Sequence, residues 1–295
     1  MRYNTGVCIA VLFWSLSFVW VKEALEFISP VMLITIRVLI AAALLATFSK
    51  LSGRLQKVGL RDKFVFMGLS LVEPVGYFLF ETAGIRMVPP TMACVVISLI
   101  PIFNPMVAAA VNGERPAPRE WAGLAISFAG VLLVVAADGV ENLGGRIAGI
   151  LLLFGAVAAS MVYTLTVQRL ARRYNSFTIV SWGNIFAAMF LLPLVVILDR
   201  QGIASLAFSW DWASSVLALG ILCSCVSFVL YVDGIRALGV TRTSMFVNLM
   251  PGMTAVASFL ILGEELSAMK IAGIAVTITG LMAGTAGPAK TMLPR

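Results

Sequence analysis

Long apolar runs, broken repeatedly by short polar or turn-forming clusters, set the pattern of this chain. The breaks fall at Ser29-Pro30, Lys50 to Lys63, Pro89-Pro90, Asn112 to Pro118, Asp138 to Arg146, Arg169 to Asn175, Asp199 to Asp211 and Gly263-Glu264-Glu265. Prolines, glycines and charges of this kind end helices and start turns. The runs between them are about 20 residues long, the length a helix needs to cross a bilayer. They predict ten spans, at 4–24, 30–49, 64–85, 90–111, 119–137, 146–168, 177–198, 213–235, 241–262 and 267–286. Ten helices with short connections use nearly all of the 295 residues and leave little for an extramembrane domain. The first run lacks a small-residue cleavage site and reads as a retained span, not a removed signal peptide.

The pattern also repeats. Shifting the chain by 150 residues aligns 78–130 with 228–280 without a gap, with 13 identities in 53 positions. Phe78 falls on Phe228, Gly84-Ile85-Arg86 on Gly234-Ile235-Arg236, Thr91 on Thr241, Leu99 on Leu249 and Pro101 on Pro251. Gly113-Glu114 falls on Gly263-Glu264, Ala122-Gly123 on Ala272-Gly273, Ala125 on Ala275 and Gly130 on Gly280. Shared hydrophobicity produces matches among Leu, Val and Ala. It does not align prolines, a GIR triplet and a GE pair in one register. Each copy holds five spans, and five is odd, so the second copy enters the membrane from the opposite side. The predicted fold is all-α and integral to the membrane: ten transmembrane helices as two inverted five-helix repeats around a central cavity. The first repeat covers 1–137 and the second 146–286, with a cytoplasmic tail at 287–295. Inverted repeats of this kind support alternating access, with a site near the midplane between the halves.

Composition agrees with lipid as the solvent. The chain is 60% hydrophobic and 12% charged, with a mean hydropathy of +1.01. Soluble domains run at about 45–50% apolar and about 25% charged. The net charge of +7 is spread over short loops and is topological, so no nucleic-acid partner is expected. With the N-terminus inside, fifteen of the 21 Lys and Arg fall on the inner side: Arg2, Lys50, Arg54, Lys57, Arg61, Lys63, Arg115, Arg119, Arg169, Arg172, Arg173, Arg236, Arg242, Lys290 and Arg295. Arg86, Arg146, Arg200 and Lys270 fall outside, while Lys22 and Arg37 lie within spans. Positive charge concentrates on the cytoplasmic side, which puts both termini in the cytoplasm of a bacterial-type inner membrane. Histidine is absent, which excludes His-ligated metals and Ser-His or Cys-His catalysis. No Walker-type loop provides for ATP, and no ring of charge suggests a channel filter. The four cysteines, Cys8, Cys94, Cys223 and Cys225, lie in apolar runs and read as buried free thiols. No cofactor is expected, and the chain does not read as an enzyme.

The first span reads Phe13-Trp14-Ser15, then Lys22, with Ser29-Pro30 and Arg37 following. Pro101 and Pro251 each precede the glutamate of a GE pair, Glu114 or Glu264, by thirteen residues. Gly123 and Gly130, or Gly273 and Gly280, come next. Over essentially the whole chain this resembles the drug/metabolite transporter superfamily, EamA-type branch, to which aromatic amino-acid exporters belong. The resemblance implies a ten-helix inner-membrane carrier, usually an exporter of amino acids or other metabolites. It also implies a central cavity lined mainly by spans 1, 3, 4, 6, 8 and 9, with spans 5 and 10 peripheral. The expected function is secondary export of small metabolites, with aromatic or other apolar amino acids as the expected substrates. The alternative is an importer or exchanger of the same fold with a non-amino-acid substrate. The expected partners are a small-molecule substrate and membrane lipid, with the chain a monomer or homodimer.

Ionisable groups within spans cost roughly 2.5–3.5 kcal/mol or more at helix centres and default to functional candidates. Arg37 and Glu81 lie at matching depths, about 10 Å and 7 Å from the outer ends of spans 2 and 3 at 1.5 Å per residue. They are candidates for a buried pair or an outer gate. Glu73, Tyr77 and Glu81 recur every four residues and share a face of span 3. Glu73 precedes Pro74, whose ring strips the carbonyl at position 70 of its helical partner, and is the candidate proton-coupling or substrate-ammonium site. Pro101 and Pro251 interrupt spans 4 and 9, and the nearby amides of Asn104 and Asn248 are candidates for orienting a zwitterion. Trp14 with Ser17, Ser160 with Tyr163, and Tyr231 supply pocket-type aromatics and hydroxyls. The gating or coupling set is therefore Arg37, Glu73, Glu81, Pro101 and Pro251. Lys22 reads as snorkelling to water, Asp233 as pairing with Arg236, and the glycines of spans 5 and 10 as a close helix approach within a monomer or across a dimer.

Overall fold

The computed structural model describes residues 2–111, 118–137, 143–239, 243 and 246–285. Gly113, Glu114, Arg115, Thr241, Arg242 and the tail 287–295 lie outside the described residues. Regular structure among the described residues is helical throughout: α1 Arg2–Ala24, α2 Pro30–Leu51, α3 Leu60–Met87, α4 in two pieces at Pro90–Ile97 and Ile100–Val111, α5 Pro118–Ala137, α6 Leu143–Leu170, α7 Ser176–Leu198, α8 Trp210–Leu238, α9 Met250–Leu262 and α10 Ala268–Thr285. A short helix, Arg200–Ser205, lies between α7 and α8. The ends follow local chemistry. The Ser29 hydroxyl accepts from the Met32 N–H at 3.2 Å, and Pro30, with no N–H to satisfy, takes the first helical position. Asn175 caps α7 by accepting from the Thr178 N–H at 2.7 Å.

Duplication is visible in the elements themselves. Among the described residues six helices, α1, α2, α3, α6, α7 and α8, are long and apolar enough to cross a membrane, and the described apolar stretches of α4, α5, α9 and α10 are shorter. Each length class is closed under exchange of the copies. Span 3, where Pro74 is expected to leave the carbonyl at position 70 without its helical partner, opens into a wide turn at Leu71–Gly76, with Glu73 extended (φ −151°, ψ 121°). Pro74 has no N–H to complete the helical ladder there, which explains the opening. Its mate α8 widens at Leu219–Ser227 without a proline, and the Ser227 hydroxyl donates to the Leu222 carbonyl at 2.8 Å. A shift of 150 carries 71–76 onto 221–226, inside that second turn. Pro101 and Pro251 sit one residue into the helices that begin at Ile100 and Met250, where a missing N–H does no harm.

The glycines of α5 and α10 face each other inside one chain. A Cβ on Gly123 would lie 2.4 Å from the Gly284 Cα and 2.7 Å from the Gly280 carbonyl oxygen. One on Gly280 would lie 2.8 Å from the Gly123 oxygen. Gly130 and Gly273 repeat the arrangement, at 2.6 Å and 2.9 Å from each other's carbonyl oxygens. Exchange of the copies converts the first pair into the second, the self-complementary signature of a two-fold contact. The two repeats are thus inverted halves of one bundle. α5 and α10 stand to one side, and the cavity lies among α1, α2, α3, α4, α6, α8 and α9.

Candidate functional site

The cavity is lined by Trp14, Ser17 and Phe18 of α1, Arg37 of α2, Glu73, Tyr77, Phe78 and Glu81 of α3, and Ile97 and Ile100 of α4. Ser160, Tyr163 and Thr164 of α6, Phe228 and Tyr231 of α8, and Val247 and Met250 complete it. Its volume is about 70 Å³, room for about five to seven waters at 10–15 Å³ each. Seven of the nine predicted binding residues therefore come together: Trp14, Ser17, Glu73, Tyr77, Ser160, Tyr163 and Tyr231. Asn104 and Asn248 are buried but do not line it. Neither do Pro101 and Pro251, which place the helix starts beside it.

Aromatic rings form most of the wall. Trp14 meets Tyr231 at 4.9 Å and Phe228 at 5.2 Å between centroids, both edge to face. Phe228 also meets Tyr163 at 6.2 Å and Phe78 at 6.3 Å, each at 87°. Phe78 and Phe228 are repeat mates, so a residue touches its own copy. That happens only at the axis relating the halves, and the cavity therefore straddles the two-fold. Sequence reasoning omitted Phe78 and Phe228 as cavity residues. The signal was their appearance as an aromatic identity in the repeat register.

Three ionisable side chains of opposite sign point into this wall. Arg37 is 2% exposed. Its Nε donates to the Ser224 hydroxyl at 2.7 Å, and its guanidinium lies 3.9 Å over the Phe78 ring. The predicted pair with Glu81 is not formed: no ion pair joins them among the described residues. Glu81 instead accepts from the Tyr77 hydroxyl at 3.0 Å. The physical reason is that α8 packs against α2 closely enough at Gly220 to offer Ser224 (a Cβ there would be 3.3 Å from the Arg37 carbonyl oxygen). A cation–π contact then supplies the remaining stabilisation. Glu73 faces the Ser160 hydroxyl and feels both Glu81 and Arg37 electrostatically. Arg37 Nη1 and Glu73 Oε2 are both buried without a hydrogen-bond partner. Unsatisfied buried charge is costly, so this pair marks the part of the cavity that lacks a ligand's worth of polar contacts.

Other expectations resolve outside the cavity. Lys22 is half-buried, and its ammonium is held by the protein as well. Its Nζ donates to the carbonyls of Ile85 at 3.0 Å, Val88 at 3.3 Å and Arg86 at 3.4 Å, because those are the orphan acceptors at the end of α3. Asp233 pairs with Arg236 at 3.9 Å and also accepts from the Ser176 hydroxyl at 2.8 Å. Cys94, Cys223 and Cys225 are buried, but Cys8 is exposed.

A model of the EamA-like transporter family matches residues 1–136 and again 147–283. An uncharacterized transporter of Archaeoglobus fulgidus is 26% identical over 277 residues, 93% of this chain and 95% of its own length. The uncharacterized transporter YcxC of Bacillus subtilis is 26% identical over 292 residues, covering 95% and 92%. A probable terminal-alkyne amino-acid exporter of Streptantibioticus cattleyicolor is 26% identical over 195 residues, covering 66% and 64%. One crystal structure of a protein superposes with a TM-score of 0.74 at 18% identity, covering 97% of this chain and 99% of that one. At that identity the likeness is one of fold.

Proposed function

This chain belongs to the EamA-like transporter family, and from that premise we propose that it exports zwitterionic metabolites, amino acids with aromatic or apolar side chains. The family makes it a multi-pass membrane transporter of a small molecule. The substrate class rests on one observation: a buried guanidinium and a buried carboxylate, each with an unpartnered atom, line the same aromatic-walled cavity. An α-carboxylate satisfies Arg37 Nη1 and an α-ammonium satisfies Glu73 Oε2. The rings of Trp14, Phe78, Phe228 and Tyr231 then receive the side chain, and the hydroxyls of Ser17, Tyr77, Ser160 and Tyr163 complete the polar lining. A relative named as a probable terminal-alkyne amino-acid exporter is in keeping with this class.

Coupling follows from charge. Glu73 and Glu81 are the cavity's two carboxylates and Arg37 is its guanidinium. A zwitterion brings no net charge, but its ammonium and a proton are alternatives at the Glu73 carboxylate: the ammonium sits there in the loaded state and a proton in the empty state. A proton therefore moves opposite to each substrate. The helix starts at Pro101 and Pro251 serve as the joints about which α4 and α9 swing, and Arg37 and Glu81 contribute to the gate. The distribution of Lys and Arg supports an inner-membrane location with both termini cytoplasmic.

Glu73→Gln tests the scheme in proteoliposomes. It should slow exchange of a labelled aromatic amino acid and flatten its dependence on pH, because a neutral amide neither binds ammonium as an ion nor takes up a proton. Unchanged rate and unchanged pH profile would refute the coupling.

A further inference from the structure

Glu264 takes no part in the cavity, yet both of its carboxylate oxygens are engaged by other elements or side chains. It follows Gly263, whose left-handed backbone (φ +66°) ends α9, so the carboxylate turns back toward the start of α4. There Oε2 accepts from the Thr91 hydroxyl at 2.9 Å and from the Thr91 N–H at 3.4 Å. Oε1 receives Lys270 Nζ at 3.2 Å, and that ammonium also donates to the Glu265 carbonyl at 3.1 Å. The Lys270 and Glu264 side chains are 7% and 10% exposed, and Thr91 is fully buried. An anion accepting at a helix start meets N–H groups that have no intrahelical partner.

Three features lift this contact above a local cap. It crosses between repeats, with Thr91 from the first and Glu264 and Lys270 from the second. It adjoins Lys22, which holds the end of α3 and on which Glu264 acts electrostatically. Between it and the cavity, the Thr254 hydroxyl of α9 donates to the Ser15 carbonyl of α1 at 3.0 Å and lies 3.1 Å from Cys94 Sγ of α4. The seam between α1, α4 and α9 is thus sealed from that corner inward. Third, the 150-residue repeat keeps the acceptor and its hydroxyl partner in the other copy, since Thr91 falls on Thr241 and Glu264 on Glu114, while Lys270 falls on Glu120. A carrier with two inverted halves needs such a closure once for each face.

We propose that Glu264, with Thr91 and Lys270, is the latch that keeps the face where α3 ends closed, and that it breaks whenever the cavity opens there. The proposal rests on the alternating-access reading and is independent of the substrate. The test uses full-length, cysteine-free protein in liposomes, with nitroxides attached at Met87→Cys and Met269→Cys, both exposed positions at the ends of α3 and α10. Electron–electron distances then report separation of the two corners. Thr91→Val and Glu264→Gln should each move the ratio of long to short distances roughly tenfold toward long, the scale of losing one hydrogen bond to a charged group. Thr91→Ser, which retains the hydroxyl, should match the parent. Because Glu264→Gln leaves Lys270 without its anion, the double change Glu264→Gln with Lys270→Met guards against misfolding and should also shift toward long. If Thr91→Val only lowers the melting temperature and leaves the distances in place, Glu264 is a structural cap and the latch is wrong. If the parent shows one distance population with and without a panel of amino acids, the two-state reading itself falls. A second population that no latch variant moves overturns the latch alone.

Discussion

Arg37 shows how a single residue is explained by partners that sequence distance hides. Its depth marked it for function, and that depth was legible from its place in span 2. Its partner was not, because Ser224 is 187 residues away and the nearer-seeming anion, Glu81, is satisfied by Tyr77 one turn earlier. Hydropathy gives depth along a helix but not rotation about it, so matched depths do not establish a pair. The geometry leads to a specific outcome. Arg37→Lys keeps the charge but loses the planar fork that grips Ser224 and stacks on Phe78. It should raise the KM for an aromatic amino acid by about tenfold or more, the cost of one charge-assisted hydrogen bond. The KM for the matching decarboxylated amine should be little changed. Uptake into vesicles with both substrates measures this, and equal losses for the two would remove the carboxylate from Arg37.

Among the elements, α5 and α10, which do not reach the cavity, have the tightest interface. The glycines of α5 and α10, spaced by seven, signalled a close approach in the sequence, but spacing alone left open whether a second molecule supplied the other side. The structure closes that question for these faces, since each glycine meets its counterpart's carbonyl within the chain. The wide turn at Glu73 was legible only through Pro74. Its partner in α8 carries no proline and left no comparable mark. Glycine substitutions should separate the tight from the loose. Gly123→Ala and Gly130→Ala place a methyl against backbone or a threonine, and overpacking costs about 1–3 kcal/mol. Both should lower the melting temperature in detergent and the folded yield. Gly183→Ala on α7 meets nothing within 4 Å and should hold or raise stability by about 0.4–1 kcal/mol. A thermal-melt series by size-exclusion chromatography distinguishes them, and a neutral Gly123→Ala would mean the α5–α10 seam yields more readily than its distances imply.

The scale of the whole molecule depends on sidedness. Ten spans, two copies and their inversion were readable because hydrophobic period and repeat register are one-dimensional properties. The cavity's membership was readable in part, since polar residues in apolar runs must face protein or water. The bias of Lys and Arg is likewise one-dimensional, and its consequence for orientation can be checked directly. Ser52, in the corner between α2 and α3, and Ala207, between α7 and α8, are both exposed. Two crossings and seven crossings separate them from the N-terminus, so they lie on opposite faces. In a cysteine-free background, a membrane-impermeant maleimide added to intact cells should label Ala207→Cys. Ser52→Cys should react only after the membrane is permeabilised. The reverse pattern would invert the molecule. It would also place the Glu264 corner in the cytoplasm, so that the same latch would close the inner face and the proton would have to enter from the other side.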